Sequence, residues 1–148
     1  MQINTKIRYG LRTMIEIASS PESKGLLQKD IASSQNISLK YLDPIISALK
    51  IKGLITNSKG RGSGYILTRP ANKITMFDIY TSFEQISIIE CINNCDMCER
   101  STHDCHAKNY WVEFKDDFIE LLKSKNLAQI VDDTYYECNE KNVKEVNR

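Results

Sequence analysis

Residues 37–49, with the sequence ISLKYLDPIISAL, predict the helix on which the fold depends. Ser38 is a suitable N-cap for this helix, and Gly53 is a suitable stop after its last turn. The apolar residues recur at i, i+3, i+4 and i+7, and so share one face of a helix: Leu42, Ile45, Ile46 and Leu49. The segment is therefore expected to form a short amphipathic helix with one buried face.

Pro44 leaves the start of this helix open. If Ser38 is the N-cap, Pro44 lies inside the helix, where it lacks a backbone donor and crowds the preceding turn. If Asp43 is the N-cap, Pro44 becomes the first helical residue, a position that proline favours, and the residues before it form a tighter turn. Both alternatives place Ser38, Lys40 and Tyr41 at the leading end of the segment.

The neighbouring segments complete a winged helix-turn-helix. Apolar residues at helical spacing predict a first helix between Ile7 and Ala18, and a short second helix around residues 27–32 that ends in a polar turn. Residues 54–58 and 65–68 are expected to be short strands joined by the glycine-rich loop 59–64. The sequence therefore predicts a mainly α fold with a two-stranded wing.

A further set of elements is predicted after the wing. Thr75, followed three residues later by Asp78, indicates the start of another helix, whereas residues 91–105 lack helical periodicity and are expected to form a loop. A helix of about 18 residues then carries an apolar stripe made of Trp111, Phe114, Phe118, Leu121 and Leu122. A unit of this size is not expected to bury the whole stripe, which favours a long C-terminal dimerisation helix. Residues 132–148 are expected to be a polar, mobile tail.

The charge is divided unevenly along the 148 residues. Residues 1–70 contain 11 Lys/Arg and 4 Asp/Glu and carry a formal charge of +7. Residues 71–148 contain 9 Lys/Arg and 15 Asp/Glu and carry a formal charge of −6. A basic half joined to an acidic half predicts a polyanion-binding module attached to a second part with another role. Because no apolar run approaches the length of a membrane span or a signal peptide, the chain is expected to be cytoplasmic.

Four of the five cysteines fall between positions 91 and 105: Cys91, Cys95, Cys98 and Cys105. In a cytosolic chain such clustering favours metal binding or redox chemistry over a disulfide framework. Cys138 stands apart in the polar tail. There is no acid–base constellation typical of an enzyme, so neither catalysis nor a small-molecule substrate is expected.

Several stretches occur together in an order and spacing typical of one family: KIRYGLR (6–12), ISLKYL (37–42), GLI followed by KGRGSGYIL (53–67), and ITMFDI (74–79). The similarity continues through Cys91 to Trp111 and on to Ile130, and covers about residues 1–132. On these stretches the chain resembles the IscR-like family of winged-helix transcription regulators.

The resemblance implies a homodimer that binds double-stranded DNA at a roughly palindromic operator. It also implies an iron–sulfur cluster on three loop cysteines, whose state sets the affinity for DNA. The chain departs from the typical spacing, because six residues rather than five separate Cys91, Cys98 and Cys105, and Cys95 is an additional thiol. In some relatives an acidic residue or histidine completes the ligand set, and one such position is Arg8 here, which cannot ligate iron.

Three interpretations of the cysteines remain open. The favoured one is an iron–sulfur cluster, [2Fe–2S] rather than [4Fe–4S], held by all four cysteines, with His106 as a substitute for one thiol. The second is zinc, because Cys95 and Cys98 have the short spacing of a zinc knuckle. The third is a thiol redox switch without metal.

The candidate DNA contacts are Ser38, Lys40 and Tyr41 on the recognition helix, and Lys59 and Arg61 at the tip of the wing. We therefore expect a DNA-binding domain over residues 1–70, and a cysteine loop with dimerisation helices over 71–131. The predicted function is a homodimeric transcription repressor that senses iron–sulfur status or redox stress. The alternative is a zinc-stabilised or thiol-switched winged-helix protein without a cluster.

Overall fold

A computed structural model describes residues 3–21, 25–60, 62–94, 98 and 105–133. Its elements are, in order, α1 (Thr5–Ser19), α2 (Gln28–Gln35), α3 (Leu39–Ile51), β1 (Ile55–Asn57), β2 (Tyr65–Leu67), a 3-10 turn (Ala71–Lys73), α4 (Met76–Tyr80), α5 (Glu90–Asn93), α6 (His106–Ser124) and α7 (Leu127–Asp132). This order confirms the predicted mainly helical winged fold. Among these helices none is both long enough and apolar enough to cross a membrane.

Helix α3 begins at Leu39, as expected if Ser38 rather than Asp43 is its N-cap. The Tyr41 amide donates to Ser38 Oγ at 3.3 Å, so Ser38 is the N-cap and Pro44 lies inside the helix. Pro44 is on the exposed side of α3, away from the packed face. The helix ends in a Schellman motif, in which the amide of Gly53, at φ 73°, donates to the carbonyl oxygen of Lys50 at 2.9 Å.

The wing is an antiparallel pair in which Ile55 faces Leu67 and Asn57 faces Tyr65. Leu26, which precedes α2, lies along the other edge of β2. Its amide donates to the carbonyl oxygen of Tyr65 at 3.0 Å and its carbonyl oxygen accepts from the Tyr65 amide at 2.8 Å. The wing is therefore hydrogen-bonded, at the residue where β2 begins, to the connection between α1 and α2.

The main hydrophobic core draws on both ends of the chain. Ile31, Leu42 and Leu49 pack in the same buried cluster as Ile79 and Leu127. The connection between α6 and α7 also pairs with the start of α4: the Leu127 amide donates to the carbonyl oxygen of Ile74 at 2.7 Å, and the Met76 amide to that of Lys125 at 3.3 Å. The carboxyl end of α6 is thereby fixed to the winged module.

Helix α6 confirms the predicted long helix, with 19 residues. Its apolar stripe is only partly buried: Leu122 is buried and Phe118 packs edge-to-face on Tyr80, with ring centroids 5.9 Å apart, but Leu121 is 66% exposed. The predicted loop over 91–105 is wrong at its start, because Cys91 lies in the single helical turn α5. A turn this short is too brief for apolar periodicity to reveal it. The predicted mobile tail lies, from residue 134 onward, outside the described residues.

Candidate nucleic-acid interface and cysteine segment

One face of α3 is exposed to solvent. Because Leu42, Ile45, Ile46 and Leu49 are buried, the residues on the opposite side point away from the core. We call this side the outward face of α3; all of its members are exposed, and they are Lys40, Asp43, Pro44, Ser47 and Ile51. The face is a convex helical surface of the kind that enters a major groove.

The structure brings the three predicted recognition residues together at the leading end of α3. Lys40 is exposed at the second position of the helix, whereas the Ser38 side chain is engaged in the cap. Tyr41 lies to one side of the outward face, where its ring packs edge-to-face on Tyr9 of α1, with centroids 5.5 Å apart. Tyr41 therefore joins the leading end of α3 to α1.

A polar network supports the turn before α3, and sequence reasoning missed it. Arg12 donates from Nε to Gln35 Oε1 at 2.7 Å and from a terminal nitrogen to the Gln35 carbonyl oxygen at 2.6 Å. The Arg12 guanidinium also lies 5.3 Å from the Tyr9 ring centroid, and Gln35 Nε2 donates to Glu16. In the sequence Arg12 is one more charge of the basic half, but in the structure it fixes the end of α2 against α1.

The wing contributes one described basic residue near its tip. Lys59 is exposed at the start of the glycine-rich loop, and Arg61 lies outside the described residues. Lys50 is at the junction of helix and wing, where its Nζ donates to Asn57 Oδ1 at 2.8 Å and lies 5.8 Å from the Tyr65 ring centroid. The ammonium of Lys50 thus links α3 to both strands of the wing.

We call residues 91–105 the cysteine segment; in the sequence it runs from α5 to the residue before α6. The helices α5 and α6 contact each other. Cys91 is in α5, Cys98 is between the helices, and Cys105 is the N-cap residue of α6; all three are half-buried free thiols. His106, the first residue of α6, is exposed, and Cys95 lies outside the described residues. The thiols suit iron–sulfur or zinc ligation chemically, but the described side chains of His, Cys, Asp and Glu form no group of three or more that could hold a metal.

The amino-terminal half of α6 carries an aromatic patch, which we define as Tyr110, Trp111 and Phe114; Tyr110 and Phe114 are exposed and Trp111 is half-buried. The Trp111 ring lies 5.2 Å from that of Tyr110 and 5.9 Å from that of Phe114, centroid to centroid. Tyr110 is 59% exposed, and Leu121 extends the apolar surface about two turns further along the helix. This surface is apolar beyond what α6 needs to pack on its own chain.

Comparison with known proteins places this architecture in a family. A family model described as "Rrf2: Iron-dependent Transcriptional regulator" matches residues 3–133. The protein Rrf2 of Nitratidesulfovibrio vulgaris is 31% identical over 134 residues, which span 90% of this chain and 89% of the relative.

Two solved structures have the same fold over nearly their full length. CymR of Bacillus subtilis, described as its global cysteine regulator, aligns with a TM-score of 0.76 at 31% identity, covering 91% of this chain and 99% of the other. IscR of T. potens aligns with a TM-score of 0.70 at 25% identity, covering 100% of this chain and 92% of the other. With its helix-turn-helix, its wing and these matches, the chain belongs to the Rrf2 family of winged-helix transcription regulators.

Proposed function

We propose that the protein is a cytoplasmic, homodimeric repressor that binds a roughly palindromic DNA operator and senses iron–sulfur or redox status through its cysteine segment. The observation that carries the DNA-binding part is the outward face of α3, which is exposed along its length and followed by a wing with Lys59 at its tip. Residues 1–70 then supply DNA contacts, and residues 71–131 supply sensing and dimerisation.

The recognition residues have distinct proposed roles. Lys40, which extends from the leading end of α3, contacts a guanine edge or a phosphate, and Ser38 and Tyr41 line the same end of the helix. Lys59 and Arg61 reach the adjacent minor groove from the tip of the wing. The excess of Lys and Arg in residues 1–70 supplies the salt-dependent attraction to phosphates.

The proposed dimer uses the exposed side of α6. An apolar surface formed by the aromatic patch and Leu121 is costly to leave in water, and a second copy of the same helix provides a matching surface across a two-fold axis. A two-fold protein presents two α3 helices to successive major grooves, which is why the operator is expected to be palindromic.

The proposed cluster ligands are Cys91, Cys95, Cys98 and Cys105, with His106 as a substitute for one of them. Four thiolates provide the usual ligand set of a [2Fe–2S] cluster, which supplies one-electron redox chemistry when bound. Of the four proposed ligands, the structure describes Cys91, Cys98 and Cys105, all half-buried free thiols. Because Cys105 is the N-cap residue of α6, a cluster held by this thiol would be joined directly to that helix.

Anaerobic purification tests the cluster directly. We expect visible absorption together with iron and acid-labile sulfide, all lost in Cys98→Ser and retained in Cys138→Ser, which serves as the matched control because Cys138 lies outside the proposed set. Iron bound equally well by both variants would contradict this ligand set, and a colourless wild-type protein without iron would contradict the cluster.

A second candidate is a regulator whose cysteines act as a zinc site or as a thiol switch. The spacing of Cys95 and Cys98 favours the zinc version. The similarity to CymR favours the thiol switch, because one structure of CymR, from Staphylococcus aureus, is of an oxidised form. Stoichiometric zinc in the purified protein would support the first version. Metal-free protein whose DNA affinity changes reversibly with peroxide and reductant would support the second.

A further inference from the structure

Tyr65 occupies the junction between the wing and two helices. Its backbone pairs with Asn57 on one side of β2 and with Leu26 on the other. Its ring lies beneath the Lys50 ammonium of α3, and its hydroxyl donates to Gln28 Oε1 of α2 at 3.3 Å. A single side chain in the wing is thus in contact with both helices of the helix-turn-helix.

Gly64 makes this junction possible. A Cβ atom at position 64 would lie 2.4 to 2.6 Å from backbone atoms of Leu26 and Gly25, closer than any side chain tolerates. Only glycine therefore lets β2 approach the connection between α1 and α2 closely enough for Tyr65 to reach Gln28. The backbone pairing of Tyr65 with Asn57 and Leu26 does not involve its hydroxyl.

Gln28 extends the contact to the recognition helix. Its Nε2 donates to Asp43 Oδ1, so hydrogen bonds run from the wing through α2 to the outward face of α3. The Tyr65 hydroxyl, by bonding Oε1, selects the amide rotamer in which Nε2 faces Asp43. Asp43 is acidic on a face that also carries Lys40, and its carboxylate is exposed.

We propose that Tyr65 is a positioning residue for base recognition, which fixes the Asp43 carboxylate through Gln28. The proposal rests on the proposed function, in which the outward face of α3 enters the major groove. A carboxylate held there accepts from an exocyclic amino group such as N4 of cytosine and repels a misplaced phosphate, and both effects depend on its orientation. Tyr65 then contributes to sequence discrimination without touching DNA.

The probe is the duplex that the wild-type protein selects from a pool of randomised duplexes, compared with a mixed-sequence duplex at one salt concentration. We expect Tyr65→Phe, which keeps the ring, to weaken binding of the selected duplex by about three- to tenfold, the effect of one lost hydrogen bond. Binding of the mixed-sequence duplex is expected to stay within about twofold, since phosphate contacts are unchanged. Tyr80→Phe is the matched control, because it removes a hydroxyl at α4.

A double-mutant cycle separates positioning from a general structural role. If Tyr65 acts through Asp43, then Tyr65→Phe has no further effect on either duplex once Asp43→Ala is present. Gln28→Ala breaks the same connection without altering the wing, and is expected to weaken binding of the selected duplex by about three- to tenfold. This variant keeps the proposal testable even if Tyr65→Phe does not fold.

Three outcomes would overturn the proposal: an unchanged affinity in both Tyr65→Phe and Gln28→Ala, equal losses with and without Asp43, or equal losses on both duplexes. A wild-type protein that selects no sequence would overturn the proposed function and this inference together, and so is distinguishable from the other three.

Discussion

Gly10 and Phe83 offer a test of how α1 packs against the segment that follows α4. A Cβ atom at position 10 would lie 2.3 and 2.5 Å from Cε2 and Cζ of the Phe83 ring, so Gly10→Ala forces that ring to move. Phe83 packs against both buried clusters of the protein, and its displacement therefore loosens contacts in each.

Two effects of opposite sign determine the expected result. Alanine stabilises a helix interior by about 1 kcal/mol relative to glycine. Overpacking costs about 1–3 kcal/mol. We expect Gly10→Ala to lower the free energy of unfolding by up to about 2 kcal/mol, and the melting temperature by about 3–4 °C for each kcal/mol.

The sign of the effect should reverse when the ring is removed. In a Phe83→Ala background the clash is absent, and Gly10→Ala is expected to stabilise by about 1 kcal/mol through helix propensity alone. Urea unfolding of the wild-type protein, the two single variants and the double variant, all at the same protein concentration, measures the coupling free energy between positions 10 and 83. We expect a coupling of about 1–3 kcal/mol. Equal effects of Gly10→Ala in both backgrounds would refute the inferred contact.

Three further predictions concern the core. Leu127→Ala removes a fully buried side chain from the main cluster, and is expected to lower the free energy of unfolding, measured with urea, by about 2–5 kcal/mol. A decrease of less than about 1 kcal/mol would show that α7 is not part of the core. Thr13→Val replaces a buried hydroxyl that has no hydrogen-bond partner among the described atoms, and is expected to stabilise by about 1 kcal/mol; a lower melting temperature would reveal an unseen partner for Thr13. Burial, and to a smaller extent Glu84, raises the pKa of Tyr80 above its ordinary value of 10.0. The unfolded chain then loses this phenolic proton at lower pH than the folded one, so the free energy of unfolding is expected to fall as pH rises above 10.0, and less steeply in Tyr80→Phe.

Much of the fold was predictable because its signals are local. Ser38 and Gly53 mark the ends of α3 through capping chemistry that involves residues a few positions apart. The Thr75–Asp78 capping box is equally local and is present at the start of α4. The stripe on α6 predicted its length, since a helix of that size repeats its pattern several times.

The parts that could not be predicted depend on contacts between distant positions. Nothing in the sequence pairs Gln28 with Tyr65, which are 37 residues apart, or indicates that Gly10 accommodates a ring from position 83. The cysteine spacing identified candidate ligands but not their arrangement, because a short polar segment has no apolar face to fix its course. Pro44 was ambiguous because two local rules conflict: Ser38 is the better N-cap, whereas proline favours the first turn over the helix interior. Burial of Leu42 beside the N-cap favours the longer helix.

The backbone pairing at the carboxyl end of α6 has a mechanical consequence. Its carboxyl end is held by the backbone bonds that join Leu127 to Ile74 and Lys125 to Met76, while its amino end begins at Cys105. A helix of 19 residues is about 28 Å long, so a pivot of about 10° at the fixed end sweeps the opposite end through about 5 Å. A small change in the direction of α6 therefore becomes a displacement of several ångströms at the end that begins at Cys105.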